Sequence, residues 1–275
     1  MPRKRPSILA GEWYPENPEE LRAVIRGYMD RVPGQKNTGR VLGLISPHAG
    51  YVYSGFTAAH GYRQLEGLSF DVVAIFSPFH SYPSGRYMIH SASSYETPLG
   101  EVPVARDLVE CLMSQIAVTE LARESEHSIE IQLPFLQSAL KSFSILPVMV
   151  AGSDVWQVED MVRAIVKILS GKNALLIASS DLHHLHSIDD VKSGDAKVAA
   201  ALERFDLKGI RSVLEPDSCT VCGKVPISIV SEAAQRLGAE RIKVLYRSNS
   251  RDEYAGEYSG TYTVGYLSAV ITGRE

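Results

Sequence analysis

The sequence predicts an α/β fold: a single domain with a central, mostly parallel sheet flanked by helices. The apolar runs of strand length are mostly continuous rather than alternating, as in strands buried on both faces. Helical periodicities lie between these runs, and such alternation builds a parallel sheet with helices on both sides. No internal repeat or Gly/Ser-rich linker divides the 275 residues, so we expect one domain over residues 1–275.

The first predicted element is a helix within GEWYPENPEELRAVIRGYMDRV. Asn17 is a favourable N-cap residue, and Pro18 suits the first helical position. Strands are predicted at 41–46, 72–77, 145–150, 174–179, 242–246 and 261–271, and helices at 56–65, 104–116, 129–140, 155–169, 191–205 and 225–237. The last strand alternates, so we expect it to be antiparallel at or near an edge. Residues 81–101 are expected to form loops or short hairpins.

Composition excludes several classes of protein. A net charge of −4 gives no basic excess for nucleic acid, and the run Arg3-Lys4-Arg5 is interpreted as a solvated, frayed end. No apolar stretch approaches the ~20 residues that span a bilayer, and no apolar segment follows the first basic residues. No membrane insertion is therefore expected. Three cysteines form no disulfide framework, so a cytoplasmic location is predicted.

Potential ligand residues follow three of the predicted strands. His48 and His80 each come after a Ser-Pro step at the end of an apolar run. Ligands of open α/β sheets bind beyond the carboxyl ends of the strands, so these side chains are expected at one rim. A third run, ALLIASSDLHHLH, adds further candidates to the same rim, namely Asp181, His183, His184 and His186. Any one of these histidines alone would be explained as well by packing.

Residues after His48 suggest a small-molecule or anion site. Glycines at 50 and 55 precede a predicted helix, and a helix start with free N–H groups suits an anion. We therefore assign Tyr51, Tyr53, Ser54 and Gly55 as candidate ligand-binding residues, with packing as the equal alternative for the tyrosines. No GK[ST] follows, so this is not a phosphate-loop signature.

Two further stretches carry candidate site residues. In ESEHSIEIQLPFL, Glu126, His127 and Glu130 gather at a helix start and could form a second metal shell or a proton relay. Alternatively, the carboxylates only complement the helix dipole. Cys222 directly precedes a predicted helix, a position expected to lower the thiol pKa. Cys111 is expected to be inert packing within a helix.

The ligand-type residues are thus His48, His80 and Cys222. Asp181, His184 and His127 are expected in supporting positions. Two histidines and one anionic ligand leave open coordination positions and suit a divalent metal, with Fe(II) as the first expectation and copper or zinc as competitors. Sequence spacing alone does not link Cys222 to the two histidines.

Six stretches together resemble the Memo family in the family's order: AGEWYP, SPHAGYVYSG, SPFH, ESEHSIEIQLPFL, SSDLHH and CGKVPI. The resemblance implies a fold like that of class III extradiol dioxygenases, which are non-haem iron enzymes. It implies metal ligands at His48, His80 and Cys222, with Asp181, His184 and His127 close to the metal. It also implies a functional association, in the AmmeMemoRadiSam system, with a radical-SAM enzyme and an AMMECR-type protein.

Departures from the pattern limit what is carried over. Ser77 stands where the family commonly has Gly, and His183 precedes His184, so His183 is an alternative ligand. The dioxygenases use a carboxylate where this chain offers a thiolate, so their activity does not follow from the fold. Three functions are considered. The first is a metal-dependent oxidoreductase, in which His184 or His127 acts as acid or base and Asp181 orients a histidine. The second is a protein that handles metal or binds a peptide or an anion, and the third is an enzyme of metal-assisted hydrolysis.

Overall fold

A computed structural model describes residues 3–34, 39–254 and 260–274. Within them, the strands are β1 (Lys4–Arg5), β2 (Arg40–Ser46), β3 (Val72–Pro78), β4 (Tyr87–His90), β5 (Ser94–Thr97), β6 (Gly100–Pro103), β7 (Thr119–Leu121), β8 (Ser144–Val150), β9 (Ala174–Ser179), β10 (His184–Leu185), β11 (Ala239–Asn249) and β12 (Thr263–Gly273). The helices are α1 (Pro18–Arg31), α2 (Tyr51–Tyr62), α3 (Arg106–Met113), α4 (Leu133–Ala139), α5 (Glu159–Leu169), α6 (Ile188–Arg204), α7 (Leu207–Leu214), α8 (Lys224–Arg236) and α9 (Ser250–Glu253), with 3₁₀ turns at Arg63–Leu65 and Glu130–Gln132.

The main sheet is parallel at its centre and antiparallel towards its edges. Its order is β10-β12-β2-β9-β3-β8-β4-β7, with β11 also paired to β12. Strands β2, β9, β3 and β8 run parallel, while β12 pairs antiparallel with β2, and β4 antiparallel with β8. The α/β prediction is therefore confirmed, and the sheet is mixed overall. The last strand is antiparallel and near an edge, as expected, and it lies between β2 and its other two partners, β10 and β11.

Element boundaries differ from the predictions where local signals compete. Helix α2 begins at Tyr51, five residues before the predicted 56–65 helix, because Gly50 already acts as its N-cap. The predicted 129–140 helix is a 3₁₀ turn followed by the short α4. Helix α7 was missed although Asp206 caps it. In the described segments, no helix has both the length and the apolar character needed to cross a membrane.

The prediction of a frayed amino terminus is wrong for Arg5. Strand β1 pairs with β5, and Arg5 is only 2% exposed. Its guanidinium contacts the Glu124 carboxylate and donates to Glu130 Oε2 at 2.6 Å. Glu130 also accepts from the Tyr14 hydroxyl at 2.6 Å and from Ser7 Oγ at 2.7 Å. A buried carboxylate needs such partners, so this network ties the amino terminus to the segment that precedes α4.

Candidate metal centre

Three strand ends deliver polar residues to one rim of the sheet. His48, His80 and Asp181 each stand two residues beyond the ends of β2, β3 and β9, which are adjacent parallel strands. Cys222 reaches the same rim from the turn before α8. One ligand atom from each of His48, His80 and Cys222 lies within 4.8 Å of the others, and His48 Nε2 is 3.1 Å from Cys222 Sγ. The structure thus brings together the three residues predicted as ligands.

The hydrogen bonds of Ser179 fix the tautomer of His48. Ser179 Oγ donates to the Ser128 carbonyl at 2.6 Å, so its lone pairs must accept from its other neighbours. Those neighbours are the Gln132 amide at 2.8 Å and His48 Nδ1 at 3.0 Å. The Tyr62 hydroxyl, which donates to Gln132 Oε1 at 2.6 Å, fixes the orientation of the amide. Therefore His48 carries its proton on Nδ1 and offers a lone pair on Nε2. Burial among other histidines holds its pKa well below the ordinary value.

Glu126 performs the same task for His80. Its carboxylate lies 3.1 Å from His80 Nδ1 and accepts the His80 backbone N–H at 2.7 Å. It also accepts from Ser128 Oγ at 2.6 Å. Burial opposes the charge on Glu126, but the hydrogen bonds from His80 and Ser128 hold its pKa well below the usual range. Burial lowers the pKa of His80, but Glu126 outweighs it and raises the pKa. Because the ionised carboxylate only accepts, His80 keeps a proton on Nδ1, and a bound metal would replace any proton on Nε2.

The surroundings of Cys222 are less favourable to a free thiolate than its position before a helix predicted. Burial and the nearby Asp181 carboxylate raise the pKa of the Cys222 thiol, so the expected lowering is wrong. The Asp181 backbone N–H points to Sγ at 3.3 Å. A Cβ at Gly223 would overlap the Ser180 side chain, so glycine at this position lets Cys222 approach the strand end. A bound cation would favour the thiolate that this pocket otherwise disfavours.

Asp181 positions the backbone rather than a histidine ring. Its Oδ1 accepts the His48 backbone N–H at 2.7 Å. Burial raises the pKa of Asp181 to about 6, although His184 and the His48 N–H oppose this shift. The expectation that Asp181 orients an imidazole is therefore corrected, and Ser179 and Glu126 perform that role.

Two further histidines border the cluster. The His127 ring stacks on His80 with centroids 4.7 Å apart and contacts Trp13 at 4.6 Å, and burial lowers its pKa. His184 Nδ1 donates to the Leu182 carbonyl at 2.9 Å, which leaves Nε2 as a proton acceptor. Both can exchange a proton with a bound molecule.

Three other residues predicted near the rim lie outside the cluster. Glu130 does not form the relay considered for it, because Arg5 and Tyr14 take its carboxylate. Among the described residues, His183 is not one whose ligand atom converges with those of His48, His80 and Cys222, and it lines a separate cavity. His186 is exposed, with Nδ1 3.2 Å from the Thr261 carbonyl.

The anion site predicted after His48 is not formed as expected. Tyr51 N–H donates to the Trp13 carbonyl at 2.9 Å, and Tyr53 and Ser54 N–H both donate to Gly50. The Tyr51 and Ser54 hydroxyls are used by backbone carbonyls within the protein. Gly55 packs under the Tyr28 ring. Of the four candidates, only Tyr53 is exposed to a cavity.

That cavity has a volume of about 610 Å³ and adjoins the cluster. Its lining is largely aromatic and apolar, and it includes Trp13, Ala49, Tyr53, Tyr254 and Tyr266. The lining includes none of the three ligand residues, but Trp13 contacts His127 and Ala49 follows His48 in the chain. The His80 side chain is 37% exposed, which leaves the centre accessible to small molecules.

Sequence reasoning missed the residues that hold the ligands. Ser179, Ser128 and Gln132 are buried serines and an amide with no motif of their own. The only available signal was a polar residue at an otherwise apolar position, as with Gln132 in the segment IEIQLPFL.

Fold and cluster define an α/β protein with a two-histidine, one-cysteine centre at the carboxyl rim of its sheet. The chain belongs to the Memo family, because the family model described as Memo-like protein matches residues 5–270. It is 35% identical over 273 residues to a MEMO1 family protein of Methanosarcina barkeri, covering 97% of this chain and 99% of the relative. A MEMO1 family protein of Thermotoga neapolitana is 34% identical over 284 residues, covering 98% and 99%. A solved structure of an uncharacterized protein from Escherichia coli K12 covers 84% of this chain and 100% of its own, with a TM-score of 0.48 and 16% identity, a likeness too distant to carry a conclusion.

Proposed function

We propose that this protein binds a divalent metal, iron in the first place, through His48, His80 and Cys222, and uses it to oxidise a small organic substrate. The observation that carries the proposal is the convergence of three ligand atoms within 4.8 Å, two of them histidine nitrogens freed by tautomer-fixing partners. The oxidative class rests on the donor set, since dioxygenase activity does not follow from the fold, and the substrate is expected to enter from the aromatic cavity.

The donor set fits a first-row transition metal. Neutral imidazole nitrogens and a thiolate suit iron, copper and zinc, whereas calcium and magnesium prefer oxygen ligands. Each histidine presents Nε2 to the centre while Nδ1 is held by Ser179 or Glu126, the usual arrangement around histidine ligands. When bound, an iron ion would supply one-electron chemistry and open coordination positions.

The remaining residues have roles that follow from their contacts. His127 is half-buried and burial lowers its pKa, and the His184 Nδ1–H donates to the Leu182 carbonyl, so either imidazole can serve as a proton acceptor for the substrate. Asp181 keeps the His48 backbone in place at the strand end. Trp13 and Tyr53 line the neighbouring cavity and would offer flat apolar surfaces to an organic substrate.

Metal content by mass spectrometry tests the binding part of the proposal. Protein purified without oxygen is compared with His48→Ala and Cys222→Ser. Cys111→Ser and His90→Ala are matched controls, since Cys111 is exposed on α3 and buried His90 lies in β4. We expect near-stoichiometric iron or copper in the parent and both controls, and its loss in the two site variants. A parent that stays empty after reconstitution would refute the metal site.

Oxygen consumption tests the catalytic part. The iron-loaded protein is offered a panel of small aromatic substrates beside a control dioxygenase, and His127→Gln and His184→Gln are measured in parallel. We expect turnover in the parent, reduced in at least one histidine variant without loss of metal. Metal binding without any product would leave a metal-handling protein, and native zinc instead of iron would favour metal-assisted hydrolysis.

An association with a radical-SAM enzyme and an AMMECR-type protein forms part of the same proposal, and family membership supports it. Co-purification of the three proteins after joint expression tests it. Separate elution at micromolar concentration would contradict a stable complex.

A further inference from the structure

A second cluster of reactive groups lies behind the rim, outside the proposed metal centre. His183 is 6% exposed, and its Nδ1 lies 2.8 Å from Asp195 Oδ1. The same carboxylate oxygen accepts the His183 backbone N–H at 3.1 Å. Asp195, itself 4% exposed, therefore fixes both the position and the tautomer of the imidazole.

Two glycines make this arrangement possible. The His183 ring lies flat on Gly194, where a Cβ would come within 2.8 Å of the ring. A Cβ at Gly265 would overlap the Asp195 carboxylate. The histidine–aspartate pair therefore lies at the contact between α6 and β12, where Gly194 and Gly265 leave room for it.

The third member of the cluster is Cys219, which lines the same cavity as His183. Burial raises the pKa of Cys219, but the neighbouring His183 and the Val221 backbone N–H outweigh it and lower the pKa below the ordinary value. Burial lowers the pKa of His183, yet Asp195 and Cys219 raise it to about 9. Both shifts favour a thiolate–imidazolium pair.

His183 and Cys219 line one cavity of about 410 Å³ between α6, α7 and the turn before Cys219. Its polar lining includes three serines and one charge of each sign: Asp190, Ser193, Lys197, Ser212 and Ser218. Cys219 is only 5% exposed, so its sulfur can be reached by a molecule of few atoms but not by a peptide.

We propose that Cys219, with His183 as its base and Asp195 as the positioning residue, is a nucleophilic thiol that reduces a small hydroperoxide in this cavity. The sulfur attacks the terminal oxygen, so an S–O bond forms as the O–O bond breaks. The two electrons lost by sulfur pass to the leaving oxygen, which takes the proton that the thiol gave to His183. The products are a cysteine sulfenic acid and water, or an alcohol from an organic hydroperoxide. The site is independent of the proposed metal function.

Site-resolved oxidation tests the proposal. The full chain, with and without a chelator, is treated with a stoichiometric amount of hydrogen peroxide at neutral pH in the presence of dimedone. Peptide mass spectrometry then quantifies the adduct at each cysteine. We expect Cys219 to react about tenfold faster than Cys111, although Cys111 is exposed and Cys219 is buried. Equal rates, or a faster Cys111, would overturn the proposal.

The variants His183→Asn and Asp195→Asn separate activation from accessibility. We expect about tenfold slower labelling of Cys219 in both, with Cys111 unchanged in the same molecules. A loosened fold would expose a buried thiol and speed its labelling, so slower labelling cannot come from partial unfolding. Alkylation by iodoacetamide against pH is the second readout, and its midpoint at Cys219 should rise in Asp195→Asn. Unchanged rates in His183→Asn, or a Cys219 modified by glutathione disulfide but not by peroxide, would refute the assignment.

Discussion

Replacing Ser179 by alanine tests whether a hydroxyl outside the ligand set controls the metal centre. Ser179 Oγ joins His48 Nδ1, the Gln132 amide and the Ser128 carbonyl, at 3.0, 2.8 and 2.6 Å. Alanine removes the acceptor for two buried N–H groups. His48 can then move its proton to Nε2, where it would block the lone pair that faces Cys222.

Two buried donors without an acceptor cost about 1–3 kcal/mol each, which gives about 2–6 kcal/mol of lost stability. The lower end is expected, because the shift of the His48 proton relieves one of them. Loss of a partner that orients a histidine ligand lowers metal affinity by about 10–100-fold. The two effects are separable, since stability is measured without metal and affinity by chelator competition.

The matched control is Ser77→Ala. Ser77 is also fully buried and stands level with Ser179 on the neighbouring strand, one residue past the Phe76–Ala178 pair. Its hydroxyl donates to the Pro78 carbonyl at 3.2 Å. We expect near-parental metal affinity in Ser77→Ala, and nitrogen NMR of His48 should show the Nδ1–H tautomer in the parent and the control. Equal affinities in the two variants would refute the tautomer argument.

Three other predictions concern stability, all measured by denaturant unfolding of the metal-free protein. Arg5→Met should lower the unfolding free energy by about 3–5 kcal/mol, because it leaves the buried Glu124 and Glu130 carboxylates unpaired. Lys4→Met, at an exposed ion pair, should change it little. Comparable losses in the two variants would contradict the buried network. Gly223→Ala should destabilise the protein by about 1–3 kcal/mol, because the added Cβ overlaps the end of β9. Its control, Gly27→Ala in open space on α1, should stabilise the protein by up to about 1 kcal/mol. Unchanged stability in Gly223→Ala would disprove the close approach of Gly223 to that strand end. The pKa of His183 is raised to about 9, so the parent should be more stable than His183→Asn by a constant amount below about pH 6.5. This difference in unfolding free energy should shrink as the pH rises through 9. A difference that grows with pH would contradict the raised pKa.

The positions of His48 and His80 followed from the sequence because they depend on one local rule. Apolar runs that end in Ser-Pro mark strand ends, and parallel strands end at a common edge. Cys222 could be joined to them only through the family resemblance, because it lies 174 residues from His48 and no spacing rule covers such a distance. The tautomers were beyond sequence reasoning for the same reason, since the amide of Gln132 reaches Ser179 from 47 residues away.

By itself, the sequence determined the alternation of strands and helices, the cap of α1 at Asn17, and the rim on which ligand residues would meet. Periodicity and caps act within a few residues, so they can be read locally. Only the tertiary structure decided that Arg5 is buried, that the pKa of Cys222 is raised, and that His183 joins a second cluster. Burial, pKa and hydrogen-bond partners depend on what distant segments bring to within a few ångströms, and a linear sequence does not encode that proximity in any local pattern.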